Sequence, residues 1–272
     1  MEVPRPPANL GELPPMLAGE VPAIGEKKRE LGAASASFIF LGYFGAQTVV
    51  GLFAGLIGFA VFGGAAGLKG EGFQQVMVIA MLPMMALSGL MMLIMALRMI
   101  PQYLRDRSAT GAAWVVGSIK ENATGLMFGI LTALAYAALT AVFPPTDEAT
   151  KGSLSRMALT PGAQQVVWIV AALLFAPLVE ECLFRGIMYG GFRRSFGPVW
   201  AAILSTLIFW SLHLTEMWHY WPAMIAIAML ALVALWHRLK YAAVGPAVSV
   251  HIGYNGMMVV GAIVATLSGA GR

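Results

Sequence analysis

QVVWIVAALLFAPLVEECLFRGIMYGG, residues 165–191, is an apolar run with two adjacent carboxylates, Glu180 and Glu181, set inside it. A helix needs about 20 mostly apolar residues to cross roughly 30 Å of hydrocarbon, and this stretch has that length. One carboxylate at such depth costs ~3 kcal/mol or more on insertion scales, so two neighbours demand a reason. Glu181 and Arg185 are four residues apart on one helical face, with the acid N-terminal to the base, and can neutralise each other. Glu180 is rotated by about 100° from Glu181, so it points elsewhere and is left over for another partner or another job. A buried ionic cluster of Glu180, Glu181 and Arg185 that merely fixes packing is the plain alternative. Such clusters rarely gain net stability, which favours a functional reading.

The rest of the chain has the composition this stretch implies. Of 272 residues, 59% are hydrophobic and 11% charged, with a mean hydropathy of +0.77; a soluble domain of this length cannot hide so much apolar surface. The reading is all-α: a polytopic transmembrane helical bundle with about seven spans, near 35–62, 74–97, 123–143, 164–190, 198–215, 221–237 and 246–267. An eighth, short or re-entrant segment fits around Trp114. The first 30 residues hold six prolines and the run Lys27, Lys28, Arg29 without the apolar core of a cleavable signal peptide. They read as a flexible cytoplasmic tail over 1–34. Residues 35–267 then form a single membrane domain, with 160–267 as its catalytic part.

Thirteen of the 17 Lys and Arg fall on one side if the N-terminus is cytoplasmic, leaving Lys69, Lys151, Arg156 and Arg272 on the other. That asymmetry follows the retention of positive residues on the cytoplasmic side and supports a multi-pass protein, expected in a bacterial inner membrane. The net charge of +4 comes from scattered residues and forms no basic face, which argues against nucleic acid. Cys182, the single cysteine, permits no intrachain disulfide and no zinc-ribbon spacing. Gly51 and Gly55 read as a close helix-packing pair. The methionines from Met77 to Met99 read as apolar filler rather than a copper path.

Polar residues concentrate in the second half. His213 lies deep in the span after Gly197 and Pro198, within Phe209-Trp-Ser-Leu-His213. With the turn at 196–197, Glu180 and His213 are equally far from it, each about 24 Å along its helix. His251 and Asn255 are four apart on one face of the last span, and two polar side chains so stacked can donate to one developing oxyanion. His219 and His237 sit at span ends and read as interfacial. A carboxylate in low dielectric is a stronger base towards water, and a neighbouring imidazole can hold that water. The inventory suits amide hydrolysis without a covalent nucleophile.

Glu-Glu-x-x-Phe-Arg-Gly, Phe-x-x-x-His and His-x-x-x-Asn, in this order and each within its own span, resemble the three motifs of the CPBP family of intramembrane endopeptidases. That family holds CAAX proteases and bacteriocin-processing enzymes and is related to the type II CAAX prenyl endopeptidase. The resemblance covers roughly 160–267. It implies that Glu180 activates water together with His213, that His251 and Asn255 form the oxyanion hole, and that Glu181, Arg185 and Phe209 support the site. It further implies a cavity open to membrane and cytoplasm, and a hydrophobic or lipidated peptide or protein as substrate, met among membrane lipids.

No cofactor is expected from this reading. A zinc site of Glu180, His213 and His251 is the main alternative, since those ligand types suit the ion although no His-Glu-x-x-His run exists. A Cys182 nucleophile, a proton-coupled transporter and a catalytically silent scaffold or immunity protein also stay open. The role of the first three spans and the identity of the substrate are not legible.

Overall fold

The computed structural model describes residues 30–62, 64, 71–146 and 153–269. The proline-rich tail up to residue 29 and the positions of Lys69, Lys151 and Arg272 lie outside them. Every regular element among the described residues is helical. Two long helices open the chain, α1 (Ala33–Val61) and α2 (Glu71–Met99), followed by the single turn α3 (Pro101–Leu104). After an irregular stretch come α4 (Ile119–Val142) and the short α5 (Ser153–Leu159). One continuous helical path then runs from Ala163 to Leu212. Along it lie α6 (Ala163–Val170), a π segment (Ala171–Phe175), α7 (Ala176–Glu181), a second π segment (Cys182–Met188) and α8 (Tyr189–Leu212). The chain closes with α9 (Leu214–Met217), α10 (Trp221–Tyr241) and α11 (Gly245–Leu267).

Six of these paths are long and apolar enough to span a bilayer, and the 50-residue one holds both the fourth and fifth expected crossings. The break between them is Gly197, at φ 82° and ψ 175°, followed by Pro198. A left-handed φ suits a residue without Cβ, and Pro198 removes the amide that would continue the ladder. The chain doubles back there. The rings of Phe184 and Phe209, equidistant from the turn, meet edge to face at 5.2 Å, as an antiparallel hairpin requires.

Outward-facing Leu52, Leu56, Ile79, Leu131, Leu207 and Leu232 are exposed, and a surface this apolar belongs in lipid. Inward packing depends on small residues. Gly129 of α4 rests on the Val250 carbonyl of α11, and Gly253 of α11 rests on the Leu126 carbonyl of α4. Such contacts let two backbones approach where helices gain little from hydrophobic burial. Among the described residues the expected pair Gly51 and Gly55 does not act this way: Gly51 faces Met84, and no described atom lies within 4 Å of a Cβ at Gly55. Its role in α1 falls instead to Gly42, packed on the Met95 thioether. Met85 and Met92 of α2 are buried while Met91 faces outward, so methionine fills the seam with α1 and continues onto the lipid face.

Between α3 and α4 the chain is irregular, not helical, yet Gly111, Ala112 and Ala113 are buried. Gly111 lies against Gly190 and Trp114 against Gly186, so this stretch dips along the site helix. Irregular backbone at membrane depth is tolerated where protein covers it. Here its amides and carbonyls are taken up locally: the amides of Val244 and Gly245 donate to the carbonyls of Ala113 and Val115 at 2.9 Å each. The re-entrant segment anticipated around Trp114 is therefore an extended plug. The α4 helix starts earlier than its apolar run, at Ser118, whose hydroxyl accepts from the Glu121 amide while the Glu121 carboxylate accepts from the Ser118 amide. This is a capping box.

Candidate active site

Glu181 is the centre of the polar core. Its side chain is fully buried, and Oε1 accepts from Arg185 Nη1 at 3.1 Å and from His251 Nδ1 at 2.9 Å. The pairing of Glu181 with Arg185 follows from their i, i+4 spacing. The tie to His251 does not, because it joins the site helix to α11 and depends on how the two pack. A carboxylate oxygen only accepts, so the His251 Nδ1 carries the proton it donates. Nε2 is then the ring atom left to meet a substrate.

Arg185 is anchored three times. Besides Glu181, its Nη2 donates to the Ala231 carbonyl of α10 at 3.0 Å, and its guanidinium lies 4.2 Å from the centre of the Phe209 ring. Phe209 is fully buried and is the hub of the aromatic contacts. Its ring meets His213 at 4.7 Å and His251 at 6.2 Å, in addition to Phe184. Glu181, Arg185, Phe209, His213 and His251 thus form one contiguous group from the site hairpin and α11.

His213 ends α8 rather than lying inside a span that continues to 215: it is the C-cap residue, and α9 starts after it. Its Nδ1 donates to the Phe209 carbonyl at 2.9 Å, since a carbonyl cannot donate. In the neutral ring Nε2 is therefore an acceptor. Glu180 is half-buried, and its Oε2 atom is buried without a hydrogen-bond partner among the described residues. It is separated from the Glu181 cluster as helix geometry requires. It lies within electrostatic reach of Arg185 and of Tyr43 on α1.

Asn255 does not stack freely beside His251. Its amide Nδ2 donates to the Ala172 carbonyl at 2.7 Å. Ala172 belongs to the first π segment, and this explains the contact. A π turn breaks the i to i+4 ladder and leaves carbonyls for other donors; such turns are frequent at functional sites. The second π segment behaves likewise. The Cys182 carbonyl accepts from the Trp114 indole at 3.0 Å and the Arg185 carbonyl from Arg238 Nε at 3.1 Å. Arg238 Nη2 also holds the Gly111 carbonyl at 2.9 Å. Trp114 and Arg238 were not anticipated as site-supporting residues, and no signal in their local sequence marks the carbonyls they serve. His237, anticipated at an interface, is fully buried beside Arg238, with Nδ1 donating to Val233 at 2.9 Å.

Among the described residues no group of three or more His, Cys, Asp or Glu side chains is placed to hold a metal ion. Glu180, His213 and His251 are accordingly not gathered as a ligand set.

The fold and this site define a class: a multi-pass integral membrane protein whose buried and half-buried carboxylates, histidines and asparagine come from three separate spans. Residues 162–257 match the family model for Type II CAAX prenyl endopeptidase Rce1-like proteins, so that stretch is similar to this CAAX protease-like family. The matched residues hold the whole polar site and exclude α1, α2 and α4. No curated protein and no solved structure matches the chain.

Proposed function

We propose that the protein is an intramembrane endopeptidase that hydrolyses a peptide bond in a lipidated or hydrophobic substrate, with water activated by Glu180 and His213. The observation that carries this reading is the division of labour between two adjacent glutamates. Glu181 is consumed by Arg185 and His251, whereas Glu180 keeps an oxygen with no protein partner. A carboxylate set in a membrane helix without a structural duty is expensive to retain and marks a functional group.

In the proposed reaction water lies between Glu180 and the acceptor Nε2 of His213. Glu180 takes a proton as the water oxygen bonds to the carbonyl carbon, giving a tetrahedral oxyanion. His251, oriented by Glu181 and protonated on both ring nitrogens so that Nε2 donates, and Asn255, with the amide hydrogen not given to Ala172, lie one turn apart on α11 to stabilise that charge. Collapse breaks the C–N bond, and Glu180 returns its proton to the leaving amine. No covalent intermediate with the protein forms, and neither Cys182 nor a cofactor has a part. The type II CAAX prenyl endopeptidase description of the matched family supports a prenylated or otherwise apolar tail on the substrate. Orientation with the N-terminus in the cytoplasm belongs to the same proposal.

The deciding experiment uses purified protein in proteoliposomes with fluorogenic prenylated and unmodified hydrophobic peptides. Cleavage by wild type and its loss in Glu180→Ala and His213→Ala support the reading. Wild-type protein that cleaves none of the panel, or unchanged cleavage by Glu180→Ala, overturns it. Activity that survives strong chelators in the same assay supports the metal-free route, and loss restored by zinc overturns that part.

A further inference from the structure

The first two helices are almost free of ionisable groups, yet they carry three polar side chains at one level: Tyr43 and Gln47 on α1 and Ser88 on α2. Tyr43 is only 3% exposed and Ser88 fully buried. Gln47 Nε2 donates to the Tyr43 hydroxyl at 2.8 Å. Polar side chains inside a membrane helix are retained where they meet a polar partner, and the Ser88 hydroxyl is already donating to the Met84 carbonyl at 2.7 Å. Tyr43 belongs to the same packed cluster as Val179 and Leu183, which flank Glu180 along its helix. One turn before Tyr43, Phe40 meets the Phe184 ring at 6.1 Å. Gly89, beside Ser88, packs on Val179.

We propose that Tyr43, from a helix outside the family-matched region, is a positioning residue of the active site: its hydroxyl, steadied by Gln47, holds Glu180 and the water it activates in line with the scissile carbonyl. The inference rests on the proposed peptidase reading and gives the first helices a role in it. With Gln47 donating to the phenol oxygen, the phenolic proton is directed away from Gln47, and Glu180 Oε2, beside Val179 on the site helix, is a buried acceptor without a partner of its own. Tyr43 donates through water and takes no part in bond making.

The test compares Tyr43→Phe with wild type in the proteoliposome peptide assay. The ring still fills its place in the cluster, so the melting temperature stays within about 2 °C. A lone misplacement near a reacting group costs on the order of 10- to 100-fold in rate, so kcat falls by that factor while KM changes less than twofold. Gln47→Leu gives a smaller fall of the same kind, and Tyr43→Phe with Gln47→Leu loses no more than Tyr43→Phe alone. Unchanged kcat, or a fall shared by KM, overturns the proposal while leaving the peptidase reading intact. A wild type that cleaves nothing overturns both. A readout independent of turnover is the infrared carboxyl band of Glu180, identified by its loss in Glu180→Gln. Tyr43→Phe shifts that band, and a band that does not move overturns the proposal.

Discussion

At the scale of single residues, the neighbours Glu180 and Glu181 are expected to fail in different ways. Removing Glu181 leaves the Arg185 guanidinium and the His251 ring buried without their shared carboxylate. Breaking one partner out of a buried charge network costs about 3–5 kcal/mol. Glu181→Ala therefore lowers the melting temperature markedly in detergent, and activity disappears with the fold. Glu180→Ala removes a carboxylate that no described side chain depends on, so melting is unchanged or slightly raised while peptide cleavage is lost. Thermal unfolding monitored by intrinsic tryptophan fluorescence separates the two. Equal destabilisation by both substitutions would contradict the division of roles.

At the scale of elements, the two π segments set the site. They turn backbone carbonyls of Ala172, Cys182 and Arg185 away from their own ladder and towards Asn255, Trp114 and Arg238. Trp114→Phe keeps the aromatic volume but strands the Cys182 carbonyl, at a cost of about 1–3 kcal/mol. Protease-resistance midpoints in denaturant should fall accordingly. Gly186→Ala is expected to be as damaging, because a Cβ there would stand 2.6 Å from the Trp114 indole nitrogen and 3.0 Å from the Ala112 carbonyl. Pairing it with Trp114→Phe does not restore stability, since the backbone carbonyl of Ala112 still blocks the methyl group. The capping box at Ser118 and Glu121 extends α4 before the apolar run from which the span was placed at 123–143.

At the scale of the whole molecule, one end of the bundle gathers positive charge. Arg107 caps the end of α10 through the carbonyls of Tyr241 and Ala242. Arg194 at the hairpin turn reaches Thr110 in the plug, and the start of α1 is held there by Ser195 at 2.8 Å from the Ala33 amide. The far end of α11 is opposite. In a Cys182→Ala background, a cysteine at Ser268 should react with a membrane-impermeant thiol reagent applied to whole cells. One at Ser108 should be protected until the membrane is opened. The reverse pattern would invert the proposed orientation and place the site's plug on the outer face.

From the amino-acid sequence alone came the membrane class, the helical spans to within a few residues, the reversal at Gly197 and Pro198, and the pairing of Glu181 with Arg185. These are properties of hydropathy, of proline and glycine backbone geometry, and of spacing along one helix, all of which act locally. The binding of His251 by Glu181, the capture of Asn255 by Ala172, and the buried clamp formed by Trp114 and Arg238 were decided only by tertiary structure. Each joins segments tens of residues apart. Which carbonyl a π turn releases, and which distant donor arrives to meet it, depends on how helices pack in a medium where no water can substitute for a missing partner.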